Sequence, residues 1–299
     1  MRDRTAQAVA QQVEAMGCQT FEVGIFDANA EKMLTKTWDR EAVLKSVPYL
    51  KYQNMQGKHI YIRPAGAHNL TMVDDLSAAK VEQMKKDGFA PAAVVETSPN
   101  NYQAWVKHHA TLPTELSTRA SRELASTYGG DPGSADWRHY GRLAGFTNCK
   151  KKYQQANGLY PFVLLKEASG QGYDQASTFI TAVELKLSAE KKAEQERRAH
   201  FAALPPSASP RASKTIADFR NDSRYGGDYH RADLGYATYA LSRNVSENEV
   251  VAAILSRDLS HKGSIARQTE YAERTVKKAL ENTQGQPHPQ PGRSSGRGA

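Results

Sequence analysis

Cysteine is nearly absent: Cys18 and Cys149 are the two in 299 residues. Two thiols cannot build a disulfide framework or a four-cysteine zinc site, so a zinc ribbon is excluded and a reduced compartment is the matching expectation. Long apolar runs are missing as well. No stretch approaches the ~18 residues that a membrane helix requires. The opening "MRDRTAQAVAQQVEAMG" has amphipathic helical spacing without the continuous apolar core of a signal peptide. These absences predict a cytoplasmic protein with no membrane partner. No G-x-x-x-x-G-K-[ST] loop occurs, which removes the P-loop ATPases and helicases. No histidine sits two residues from another, which removes the His-x-His metal site of rolling-circle nicking enzymes.

What is present is globular and basic. Hydrophobic residues make up 39% of the chain and charged residues 24%, at a length that suits one large domain or two ordinary ones. The net charge of +8 favours a polyanionic partner, because charge governs association and not fold. Strand-like and helix-like patterns alternate through the first two-thirds. "FEVGIFDA", "HIYIRP", "TMVDD", "APAAVVETS", "NYQAWVKHH" and "YPFVLLKE" read as strands, and "LSAAKVEQMKKDG" and "TELSTRASRELASTYGG" as helices. "SPNN" predicts a hairpin, since Pro and Asn are turn formers. The mixture predicts an α+β fold with a largely antiparallel sheet.

Composition then changes. "LSAEKKAEQERRAHFAAL" is a charged helix and "PPSASPRAS" a Pro/Ser linker. Beyond it every pattern is helical, and "SENEVVAAILSRDL" opens with a capping box of Ser246 and Glu249. The expected layout is a catalytic domain over 1–205, including a charged helix at about 186–204, and a linker over 205–212. A helical bundle follows over 213–285, and residues 286–299 form a basic tail expected to be disordered.

Three polar clusters in the first domain can carry chemistry. "TMVDDLS" ends a strand in Asp74 and Asp75. Aspartate is also a favoured N-cap, so one of the pair has an ordinary job available at the start of the next helix. "ETSPNNYQAW" is a polar hairpin holding Ser98, Asn101 and Gln103. "GGDPGSADWRHYGRLAGFTNCKKKY" concentrates Asp131, Asp136, Arg138, His139, Arg142, Asn148 and three lysines, Lys150, Lys151 and Lys152. Each also reads as turn or solvated surface. Taken together, three carboxylates beside phosphate-sized cations are the inventory of two-metal nucleotidyl transfer.

The stretches "YIRP", "VDDL", "VVETSPNNYQAWVK", "ADWRHYGRLAGFTN" and "YAERTVKKAL" give the chain a resemblance to the RepB-prime-type replication primases of IncQ-like mobilisable plasmids, a branch of the archaeo-eukaryotic primase superfamily. The resemblance implies an RRM-like primase core with a mixed or antiparallel sheet, followed by a small C-terminal helical bundle. It implies a bacterial DNA primase that starts primers at single-strand origins, with a hairpin beside the start site and nucleoside triphosphates as substrates. A replicative helicase or a relaxase fusion is the implied further partner.

By the same resemblance the catalytic triad is Asp74, Asp75 and Asp131, ligating Mg2+ or Mn2+. The superfamily spaces its first two aspartates by one residue, so the adjacent pair here predicts that the strand ends or kinks. Where the superfamily's second motif has a histidine, this chain has Gln103. Nucleotide contacts then fall to Ser98, Asn101 and Gln103, with Arg138, His139 or Arg142 supplying the missing cation. DNA contacts fall to Trp137, Tyr140, Asn148 and Lys150 to Lys152, with Tyr102 as a further stacking aromatic. Two other classes use the same inventory: a non-catalytic single-stranded DNA-binding module of a mobilisation protein, and a metal-dependent nuclease.

Overall fold

The computed structural model describes residues 3–203 and 213–284. The linker expected at 205–212 and the tail at 286–299 lie outside the described residues. Contacts divide the chain into a first unit, Met1–Ser188, and a second, Ala189–Ala299, and the division falls within one long helix.

The first unit opens with α1 (Arg4–Met16). Asp3 caps it by accepting the amides of Thr5 and Ala6, and Gly17 ends it at φ 67°. β1 (Thr20–Asp27) and β2 (Lys32–Asp39) form a hairpin, followed by α2 (Arg40–Lys45), α3 (Val47–Met55) and β3 (His59–Pro64). Next come β4 (Leu70–Leu76), α4 (Ala78–Lys86), β5 (Ala93–Ser98), β6 (Asn101–Lys107) and α5 (Thr114–Tyr128). Two short strands, β7 (Gly141–Arg142) and β8 (Leu164–Ala168), complete the sheets, and α6 (Ala176–Ala203) leaves the unit.

The strands make two antiparallel sheets of order β2-β1-β3-β7 and β4-β6-β5-β8. The α+β class and the antiparallel pairing are as expected, although the strands are shared between two sheets. Alternation along each strand explains the layers. Phe21, Val23 and Ile25 of β1, Ile60 and Ile62 of β3, and Met72 and Trp105 of the second sheet meet in one core with Val9, Val13 and Met16 of α1. The other face of the second sheet presents Val73, Val94, Ala104 and Val106 to Val81 and Met84 of α4 and to Leu124 and Ala125 of α5.

One polar side chain is wholly enclosed by this core. Gln12 of α1 accepts from the Ala144 amide at 2.7 Å and donates to the Arg142 carbonyl at 3.1 Å. It therefore pins the β7 segment from below. Gln12→Leu keeps the volume and strands two buried backbone groups, so it should cost about 3 kcal/mol in urea unfolding. A loss within the scatter of surface substitutions would contradict this.

The second unit is helical beyond α6: α7 (Ile216–Arg220), α8 (Tyr229–Leu241), α9 (Glu247–Leu255) and α10 (Ile265–Gln284). The Ser246–Glu249 capping box is present at the start of α9. Phe219, Tyr236, Val250, Ile254 and Val276 lie in its core. Asp233 sits within that core fully buried, gripped by Arg220 at 2.7 and 2.6 Å and by the Tyr271 hydroxyl at 2.9 Å. Among the described residues no helix is long and apolar enough to cross a membrane.

Candidate active site

The kink expected at Asp74 and Asp75 is present. β4 pairs with β6 as Val73↔Ala104 and again as Leu76↔Tyr102, so three steps on one strand oppose two on the other. That is a bulge with one extra residue. An unbroken strand would send Val73 and Leu76 to opposite faces; both are instead buried in the layer under α4 and α5. The residue absorbing the change is Asp75, at φ 61° in the left-handed region that aspartate tolerates better than most. Both carboxylates consequently face one cleft of about 350 Å³. Neither caps α4, because Ser77 does, accepting the Lys80 amide. The ordinary job open to an aspartate is therefore filled by another residue.

Asp131 arrives from the loop after α5. Its amide donates to the Asp74 carbonyl at 3.1 Å, and the preceding Gly130 makes that approach possible. A Cβ there would lie 2.7 Å from Val73 Cγ1 and 2.8 Å from the Asp74 oxygen. The Asp131 carboxylate accepts from the Gly133 amide at 2.8 Å and from the Ser134 hydroxyl at 2.8 Å. Those two bonds, the amide first, hold its carboxyl below the ordinary value of 3.8. Ser134 also lies 3.5 Å from the Asp74 carboxylate and so spans the two acids. Asn101, steadied by Thr97 at 3.0 Å, donates to the Asp75 carboxylate.

The opposite wall is cationic. Arg142 is buried, its guanidinium 3.3 Å from His59 Nδ1, 3.3 Å from the Tyr61 hydroxyl and 5.0 Å from the Tyr61 ring centroid. Among the described residues no carboxylate lies within ion-pair distance of it, and burial lowers its pKa. Two glutamines fix its backbone. Gln12 holds its carbonyl, and Gln103 accepts from its amide at 2.8 Å. His139, Tyr140, Lys150, Lys152 and Tyr153 complete this side.

His59, behind Arg142, is pushed down to about 4 by burial and then by Arg142 and Lys150. His108 reaches about 4 by burial and its neighbours His68 and His109. In the unfolded chain both return to the ordinary 6.5. Between these values the unfolded state takes protons that the folded state refuses. Stability is therefore full above pH 6.5 and falls as pH drops, by roughly 1.4 kcal/mol per pH unit per histidine. Urea unfolding at pH 7 and pH 5 should show the loss, and a shallower one in His108→Gln. Equal losses in parent and variant would contradict it.

Of the residues singled out by sequence, the cleft gathers Asp74, Asp75, Asp131, Asn101, Gln103, His139, Arg142, Tyr140, Asn148, Lys150 and Lys152. Six are not among its lining. Tyr102 is half-buried against the core under α4 and α5, and Asp136 accepts the Arg138 amide at 2.8 Å. Ser98 is buried behind it, bonded to Tyr153. Arg138 is exposed and offers its carbonyl to Arg63, Lys151 is exposed, and Trp137 is half-buried with its carbonyl on His68. Asn148 lines the cleft but is itself buried, donating to the Thr97 carbonyl at 2.7 Å and accepting the Lys150 amide at 3.3 Å. Its geometry is that of a brace. Tyr61, Thr97, Ser134 and Tyr153 line the cleft without having been singled out. Ser134 carried a signal, since a serine three residues after an aspartate in "DPGS" suits a turn that returns a hydroxyl to the carboxylate.

Among the described residues no group of three or more His, Cys, Asp or Glu side chains is placed to hold a metal ion. The donor set nevertheless fits a hard divalent ion. Carboxylate oxygens are the ligands such ions prefer, and a magnesium-type ion is ordinarily held by one or two carboxylates with water and substrate phosphates completing the shell. Asp74 and Asp131, tied through one serine, supply that partial set.

The RepB DNA-primase N-terminal domain family matches residues 7–194 of this chain. Mobilization protein A of Escherichia coli is 39% identical over 289 residues, covering 93% of this chain and 41% of that protein. A DNA primase of Acidithiobacillus ferrooxidans is 31% identical over 178 residues, covering 58% of this chain and 48% of that protein. The chain thus spans less than half the length of these two curated relatives. Among solved structures, the catalytic domain of primase RepB′ in complex with initiator DNA is 44% identical with a TM-score of 0.60, covering 64% of this chain and 98% of that one. Primase RepB′ is 36% identical with a TM-score of 0.66, covering 93% of this chain and 94% of that one. The family match takes in every element that builds the cleft, and the chain belongs to the RepB DNA-primase N-terminal domain family.

Proposed function

We propose that this chain is a plasmid replication primase, joining nucleoside triphosphates into short primers on single-stranded DNA at an origin. The observation that carries the reading is the bulge in β4, which turns two adjacent aspartates onto one face opposite a buried arginine. A protein that only bound phosphates would gain nothing from three carboxylates in its cleft. The catalytic part is assigned to residues 1–205, and its setting to the bacterial cytoplasm.

Asp74, Asp75 and Asp131 would hold Mg2+ or Mn2+, which when bound activates the attacking 3′-hydroxyl and neutralises the leaving pyrophosphate. The chain's own part is positional and electrostatic. Ser134 keeps Asp74 and Asp131 at a fixed separation, and Asn101 holds Asp75 in its left-handed turn. Arg142 presents a guanidinium to the triphosphate from a buried position, where its charge is little screened. Gln103 serves it by orientation, through the Arg142 amide. His139, Lys150 and Lys152 give further donors for phosphate oxygens at the rim.

Alignment to part of a larger mobilization protein supports this chain also being made within a relaxase fusion. Incubation with an unprimed origin strand and labelled nucleotides, ribo- and deoxyribonucleotides supplied separately, tests the proposal. Extension supports it, retention without product supports a binding module, and shortened strands support a nuclease.

A further inference from the structure

The cleft leaves the second unit's own concavity without a role. A groove of about 530 Å³ runs along α10, lined on that helix by Arg267, Glu270, Arg274 and Lys278 and flanked by His230 and Lys262. The three α10 cations that line the groove, Arg267, Arg274 and Lys278, are exposed and fall on one face at spacings of seven and four residues. Among the described residues no carboxylate lies within ion-pair distance of Lys262, Arg267 or Lys278, whereas Glu270 reaches Arg274 at 3.8 Å. The buried Asp233 is ion-paired with Arg220 and accepts a hydrogen bond from the Tyr271 hydroxyl, so its charge is already matched by a cation of the core. The floor is firm, with the Lys262 ammonium 4.4 Å from the centroid of the Tyr271 ring.

We propose that this groove binds the phosphodiester backbone of single-stranded DNA. The choice of polyanion rests on the primase reading, and the choice of strand over nucleotide rests on shape. Arg267 to Lys278 span about 16 Å at 1.5 Å per residue. A triphosphate is compact and would engage one end of such a row, whereas a strand presents successive phosphates along all of it. Cationic grooves that track a backbone in this way bind without reading sequence. Lys277, next to Lys278 in the sequence, is not among the residues lining the groove.

The test uses the full chain, a fluorescent oligothymidylate and a salt series. Combined Arg267→Ala, Arg274→Ala and Lys278→Ala should lower the slope of log affinity against log salt by ~2, at ~0.7 per lost phosphate contact. Glu270→Gln should tighten binding about threefold by removing the one acid among the lining side chains. A damaged fold could not produce that gain. An unchanged slope in the triple variant overturns the proposal, as does an unchanged oligonucleotide affinity with lost retention of nucleoside triphosphate. The primase reading is judged apart, by primer synthesis at saturating DNA: it stands if the parent chain makes primers and Asp74→Ala does not, and falls if the parent chain makes none, whatever the slope.

Discussion

Replacing any one of the three carboxylates should reduce primer synthesis by about a thousandfold, equivalent to about 4 kcal/mol of transition-state stabilisation. Alanine serves at Asp74 and Asp131. At position 75 asparagine is the cleaner substitution, because φ 61° strains alanine but is tolerated by asparagine. DNA retention should stay level or rise slightly, since each change removes a negative charge from a cleft that would hold phosphates. Asp131 is the discriminating position. It is bonded to the Asp74 backbone and shares Ser134 with the Asp74 side chain, so its loss should be as severe as that of Asp74. Near-normal synthesis by Asp131→Ala would move the third ligand to Asp136.

Arg142→Met should separate activity from stability. The side chain is 4% exposed, and its contacts are a neutral histidine and a tyrosine. Burying a guanidinium without a carboxylate partner is unfavourable, and an apolar replacement of similar length is often neutral or stabilising by about 1 kcal/mol or more. Primer synthesis should fall by about a hundredfold, the scale for removing one preorganised donor from a reacting centre. The urea midpoint should hold or rise. The pKa of His59 should rise as well, because Arg142 is one of the causes that depress it. Retained synthesis, or a midpoint well below the parent's, would show that this arginine is a structural element.

Much of the site was legible because its key signal is local. Two adjacent aspartates at a strand's end cannot share a face without a break in the pleat, and the bulge between Val73 and Leu76 is that break. The "SPNN" turn was equally plain, with Asn100 at φ 60° closing the β5–β6 hairpin. β2 left no trace, because its residues are exposed on both faces except for a half-buried Trp38, so no alternation marks it. Which residues of "DWRHYGR" face the cleft was also beyond pattern reading. That segment has almost no regular structure, and Arg63 and Glu22 of distant strands orient it through the Arg138 carbonyl and the Tyr140 hydroxyl. Tyr61 and Thr97 join the cleft by tertiary placement alone. Gln103, read as a weakened nucleotide ligand, is instead bonded to the backbone of the arginine that faces the acids, a contact set by sheet register.

The central claim is that Asp74, Asp75 and Asp131 together hold the divalent ion on which transfer depends. Manganese titration followed by electron paramagnetic resonance, with a nucleoside triphosphate present, measures it without relying on turnover. The account predicts saturable binding by the parent chain and at least about tenfold weaker binding after Asp74→Asn or Asp131→Asn. Parent-like manganese affinity in both variants would contradict it.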